Sequence, residues 1–184
     1  EQAMLDCVVQ PMLPSECSLP AVCDDARQAY LARYHTLFGP QALAGMHVVV
    51  YQHSSVARDL LTSLLERLGA RVTVVGRADE FVPIDTEAVS EADRQRGLAW
   101  AAQYQADAIL STDGDADRPL IADEHGQWLR GDVVGMLTAQ ALGIRQLAVP
   151  VSCTSGIEHS GWFANVVRTR IGSPYVIAGM QALL

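Results

Sequence analysis

Ser111-Thr112-Asp113-Gly114-Asp115-Ala116-Asp117-Arg118-Pro119 holds three carboxylates at alternate positions, with only Gly114 and Ala116 between them. Nothing bulky keeps these carboxylates apart, and at close range they repel one another. An ordered loop does not usually hold such a set without a counter-charge. All-oxygen donors on a tight turn suit a hard divalent ion, Mg²⁺ or Ca²⁺, better than zinc. On one side Ala106-Asp107-Ala108-Ile109-Leu110 reads as a short buried strand, and on the other Pro119-Leu120-Ile121-Ala122 reads as a second. The loop therefore lies where strand ends gather, which is where open α/β folds place their ligands. A plain solvated turn is the simpler alternative, and the position between two apolar strands weighs against it.

Two other metal or phosphate chemistries can be tested on the same residues. Counted from Asp113, an EF-hand loop gains carboxylates at its first, third and fifth positions and Glu124 at its twelfth. It fails at the sixth, where the sharp turn needs glycine and Arg118 stands instead. An aspartyl-phosphate phosphatase would use Asp113 and Asp115 but wants a lysine to hold the phosphoaspartate, and the chain contains no lysine.

Outward from the loop, strands and helices alternate. Met46 to Tyr51 is a valine-rich apolar run that predicts a buried parallel strand. Ser54 or Ser55 can cap the helix that follows, whose inward face is Val56, Leu60, Leu61, Leu64, Leu65 and Leu68, with Gly69 as the stop. Val72 to Val75 is the next strand, giving a right-handed βαβ start. Asp24 to Phe38 forms an earlier helix ended by Gly39-Pro40. The stretch from Gly76 to Ala92 is polar and reads as a solvated loop. Asp93 to Tyr104 reads as a helix with Leu98, Trp100 and Ala101 inward. After the acidic loop comes a hairpin turning at Glu124-His125-Gly126, then a helix from Val133 to Leu142 opened by Gly131-Asp132. A second unit follows: strand Leu147–Val151, helix Ser155–Trp162, strand Val166-Val167 and helix Tyr175–Leu184.

Asp113-Gly114-Asp115-Ala116-Asp117-Arg118 resembles the metal loop of the α-D-phosphohexomutases, the phosphomannomutase and phosphoglucomutase superfamily. Tyr51-Gln52-His53-Ser54-Ser55, Phe81-Val82-Pro83, Gly131-Asp132 and the run from Arg168 to Val176 resemble bacterial phosphomannomutases in the same order, so the likeness covers residues 25–184. It implies an α/β fold of layered α/β/α units with a mostly parallel mixed sheet. One unit is complete (25–143, the metal-loop domain) and one partial (144–184), behind a tail or upstream remnant (1–24).

The resemblance further implies phosphoryl transfer between O1 and O6 of a hexose, through a phosphoserine. Mg²⁺ would bridge that phosphoserine and Asp113, Asp115 and Asp117. Arg118 would offer a planar donor fork to the phosphate as a catalytic residue, its alternative being a surface ion pair with acidic neighbours. Arg170, Gly172 and Ser173 would form a substrate-binding turn, its alternative being an ordinary strand-to-helix loop. The family's Ser/Thr-x-Ser-His-Asn-Pro loop and its Gly-Glu-x-Ser-Gly-His sugar loop have no match here. The expectation is a fragment of a phosphohexomutase, inactive alone, whose partners are a hexose phosphate and missing domains of the same polypeptide. A reading of another class is a non-catalytic divalent-cation-binding or interaction module on a mutase-like fold.

Bulk properties agree with this picture. The chain of 184 residues is 49% hydrophobic, enough for a packed core, and its net charge of −8 argues against nucleic acid and anionic membranes as partners. Cys7, Cys17, Cys23 and Cys153 have no metal-ligand spacing and read as reduced thiols of a cytoplasmic protein.

Overall fold

The computed structural model of the chain describes residues 21–184, so Cys7, Cys17 and nearly all of the expected tail lie outside the described residues. Helix α1 (Asp25–Phe38) comes first, then β1 (His47–Tyr51), α2 (Arg58–Arg67), β2 (Arg71–Val75) and α3 (Glu91–Tyr104). Strands β3 (Ala108–Thr112) and β4 (Pro119–Ala122) flank the acidic loop, and α4 (Gly131–Ala141) follows. The chain continues through β5 (Gln146–Pro150), α5 (Gly156–His159), β6 (Asn165–Thr169) and α6 (Ser173–Gln181). This is the expected α/β class with a mostly parallel sheet: β2-β1-β3-β4 in the larger sheet and β5-β6 in the smaller, the β3–β4 pair being antiparallel and the other strand pairs of the described residues parallel.

Every residue of β1 is buried because the strand is central and covered on both faces. Side chains alternate along a strand, so Val49 points one way and Val48 and Val50 the other. Val49 packs with Ala101 of α3, Ile109 and Ala122, while Val48 and Val50 pack with Leu65 of α2 and Ala70. The result is a three-layer α/β/α sandwich, and each fully buried valine contributes roughly 1.5–3 kcal/mol. Edge strand β2 is half exposed, as a strand with one free side should be.

Several expectations need correction. Val56 is 74% exposed rather than part of the α2 face, because the helix begins two residues later at Arg58 and Val56 belongs to the preceding loop. Neither serine caps α2, whose N-cap is Ala57 with no side-chain cap. Leu98 is 43% exposed, and the inward positions of α3 are Asp93, Gly97 and Ala101. That helix starts earlier than expected because Ser90 caps it, its hydroxyl oxygen accepting from the Asp93 amide at 3.1 Å. Helix α5 is a single turn, ended where Gly161 takes φ +67°. Helix α6 starts two residues early, with Pro174 in its first turn.

The hairpin after β4 is held against α3 at a point where two backbones nearly touch. A Cβ on Gly97 would lie 2.5 Å from the Gly126 carbonyl oxygen, and Trp128 Nε1 donates to the Asp93 carbonyl at 2.9 Å. Among the described residues no helix is long and apolar enough to cross a membrane.

Candidate metal centre

Strand order places the acidic loop. From β1 the chain moves to β2 on one side, while β3 lies on the other, so the carboxyl ends of β1 and β3 form a topological switch point. The parallel ladder between them ends at Val50 and Leu110, and side chains take over from there. Ser111 Oγ donates to the Tyr51 carbonyl at 2.8 Å, and His53 Nε2 meets the Thr112 carbonyl at 2.9 Å. A carbonyl only accepts, so Nε2 carries the proton. His53 is fully buried with φ +29°, a conformation costing roughly 1–3 kcal/mol that persists only where its surroundings enforce it.

The loop itself is pinched at its neck. The Asp113 amide donates to the Arg118 carbonyl, and the Arg118 amide donates to Asp113 Oδ1, both at 3.2 Å. Between them Ala116 turns the chain with φ +65°, in the left-handed region. Asp113, Asp115 and Asp117 come together as the sequence predicts, with one carboxylate oxygen from each lying within 4.8 Å of the others. Asp113 is half-buried and the other two are exposed. The Asp115 charge, together with desolvation and the Asp113 carboxyl, holds Asp117 above the usual carboxylate range, and Arg118 offsets this only in part. A cluster so short of positive charge, with all-oxygen donors and open access to solvent, fits a hard divalent cation.

Beside the loop runs a groove of about 640 Å³, bounded by Val56, Phe81, Pro83, Asp113 and Asp115. Its outer wall is the segment read from sequence as a solvated loop. That segment is pinned, since the Val82 amide donates to Ser54 Oγ at 2.9 Å and Asp85 Oδ1 accepts from the Glu87 and Ala88 amides. Those two amides hold the Asp85 carboxyl below its ordinary range. A Cβ on Gly114 would come within 3.3 Å of the Phe81 ring, so the glycine leaves room for it.

Comparison with known proteins turns this geometry into a family assignment. The model of the phosphoglucomutase/phosphomannomutase alpha/beta/alpha domain II matches residues 28–126, more than half of the chain. The chain belongs to the phosphoglucomutase/phosphomannomutase family. It is 53% identical over 158 residues to a phosphomannomutase of Salmonella muenchen and 50% identical over 156 residues to one of Sinorhizobium fredii. Those alignments take in 86% and 85% of this chain but only 33% of either relative, so the chain spans about a third of their length. A phosphoglucosamine mutase of Parvibaculum lavamentivorans is 30% identical over 167 residues. In fold, the chain is similar to a phosphoglucomutase/phosphomannomutase family protein of Burkholderia thailandensis, with a TM-score of 0.71 over 86% of this chain and 36% of that one, at 20% identity.

The other site residues expected from the sequence lie farther apart. Arg118 stands beside the cluster, where it pairs with Glu87 at 2.8 Å and approaches Asp117 at 3.8 Å. Arg170, Gly172 and Ser173 sit after β6 of the smaller sheet. Gly172, at φ +126°, is the N-cap of α6, and the Arg170 guanidinium lies 5.7 Å from the Tyr175 ring. Among the described residues no hydrogen bond or ion pair joins that turn to the acidic loop. Its neighbour Arg168 is structural. It donates to the carbonyls of Pro150, Cys153 and Thr154 and pairs with Glu158 at 2.6 Å. Sequence reasoning missed Thr112 and Glu87. Ser55, read from the sequence as a possible helix cap, instead bonds the Thr112 hydroxyl.

Proposed function

We propose that this chain is the metal-binding part of a Mg²⁺-dependent phosphohexomutase of phosphomannomutase type, which interconverts hexose 1-phosphate and hexose 6-phosphate. The observation that carries the reading is the Asp113–Asp115–Asp117 cluster at the switch point, in a chain half-identical to proteins named phosphomannomutase. Asp113, Asp115 and Asp117 would hold the ion, which when bound neutralises charge spreading over the transferred phosphoryl oxygens. Arg118 has a planar fork with one side committed to Glu87, leaving donors free to meet a phosphate oxygen. The phosphoserine donor lies outside the chain on this reading, and Arg170, Gly172 and Ser173 face the sugar phosphate in the assembled enzyme. The two sheets support units of 25–143 and 144–184.

Titration of the chain with Mn²⁺ as a spectroscopic substitute for Mg²⁺ tests the reading. One site should be lost in Asp115→Asn, and equal binding by the parent and the variant would remove the loop from consideration.

A further inference from the structure

Three consecutive carbonyls at the start of the acidic loop are held, two from the segment after β1 and the middle one by the Thr112 hydroxyl. The Thr112 carbonyl accepts from His53 Nε2 at 2.9 Å, and the Gly114 carbonyl accepts from the Val56 amide at 3.0 Å. Between them the Asp113 carbonyl accepts from Thr112 Oγ1 at 2.8 Å. With its single proton so used, Thr112 Oγ1 can only accept from Ser55 Oγ, 2.7 Å away, and Ser55 Oγ accepts in turn from the Ala57 amide at 3.1 Å. The result is a directional relay, from the Ala57 amide through two hydroxyls to the backbone of the first acidic residue. Ser55 is 3% exposed and His53 fully buried, so water does not readily substitute for these donors.

We propose that the Ser55–Thr112 hydroxyl pair, backed by His53, positions the acidic loop and thereby sets the affinity of its three carboxylates for a divalent cation. This rests on the reading of Asp113, Asp115 and Asp117 as a metal site. Carboxylates that repel one another spread apart unless their backbone prevents it. His53 fixes the peptide plane before Asp113 and the relay the one after it, and the neck bonds to Arg118 fix the other end. Loss of the relay leaves Asp113 and Asp115 free to separate, so that binding must first draw them together.

Mn²⁺ binding measured by electron paramagnetic resonance on the whole chain, well below its melting temperature, tests the proposal. Thr112→Val keeps the shape of the side chain and removes the relay, and Mn²⁺ affinity should fall about tenfold or more, as when the support behind a metal ligand is lost. Thr112→Ser keeps the hydroxyl and should restore affinity, even if it lowers the melting temperature. Ser55→Ala should weaken binding in the same direction, and the double variant should lose little more than Thr112→Val alone, because both cut one chain. A purely structural role would lower the melting temperatures of these variants and leave the affinity of the folded protein unchanged. Parent-like affinity in Thr112→Val, alongside lost binding in Asp115→Asn, overturns the positioning role alone. Unchanged binding in Asp115→Asn overturns the metal reading and this inference with it.

Discussion

Gly97 lies within α3, where helix propensity favours alanine over glycine by about 0.8–1 kcal/mol. The structure predicts the opposite sign. An alanine Cβ there would sit 2.5 Å from the Gly126 carbonyl oxygen and 2.9 Å from Trp128 Nε1, and the first of these belongs to backbone that cannot rotate away. Relief requires the hairpin to back off from α3, which loosens the Trp128–Asp93 hydrogen bond as well. Overpacking of this kind costs about 1–3 kcal/mol, so Gly97→Ala should lose up to about 2 kcal/mol after the propensity gain is subtracted, and should not be stabilised. Gly135 in α4 is the control, because a Cβ there meets nothing within 4 Å and φ is ordinary. Gly135→Ala should therefore gain up to about 1 kcal/mol. Urea denaturation of parent and both variants, with the slope checked for constancy, measures the two differences directly. Equal stabilisation of the two variants would refute the close approach of hairpin and helix.

Two further outcomes follow from the site and its surroundings. In a full-length protein, Asp115→Asn should lower kcat far more than it raises KM, because the interaction it removes is made mainly in the transition state, whereas Arg170→Ala should raise KM at least as much as it lowers kcat; steady-state kinetics on both variants checks this, and normal turnover in an early-melting Asp115→Asn would favour a purely structural cation module. Asp132 is held below the usual carboxylate range by Arg130 first, against the pull of burial, and then by the Thr154 and Val133 amides, so its stabilising contribution is complete above the unfolded-chain value of about 3.9 and disappears as pH falls through its lower folded value; the stability difference between parent and Asp132→Asn should be constant near neutral pH and narrow only below about pH 4.

What could be read from sequence divides along a physical line. β1 was legible because a central strand covered on both faces must be apolar throughout, and Val48-Val49-Val50 is. The acidic cluster was legible because alternating carboxylates separated by Gly114 and Ala116 carry their chemistry within one short loop. Ser55 was not, because its hydroxyl partner stands 57 residues away and a serine after a strand looks the same whether it caps a helix or braces a loop. The groove wall was missed for a related reason. A polar stretch predicts exposure, yet Ser54 holds the Val82 amide from 28 residues away and Asp85 ties down the Glu87 amide, without burying apolar surface.

The acidic loop is anchored differently at its two ends, and this bears on how it could work. Its first residues hang from the loop after β1 through side-chain donors, at the end of the most deeply buried strand of the sheet. Its last residues run directly into β4, an antiparallel strand on the sheet edge, whose hairpin leans on α3 through the Gly97–Gly126 contact. The Arg118 guanidinium stands at this second end and, among the described residues, is tethered only by exposed ion pairs, which are worth little and are readily exchanged. Asp113 is thus placed rigidly, while Arg118 can leave Glu87 for a stronger phosphate partner at little cost. On the proposed mutase reading, a fixed anionic site next to a releasable guanidinium suits phosphoryl transfer, in which a held cation and an arginine fork would meet the same phosphoryl group.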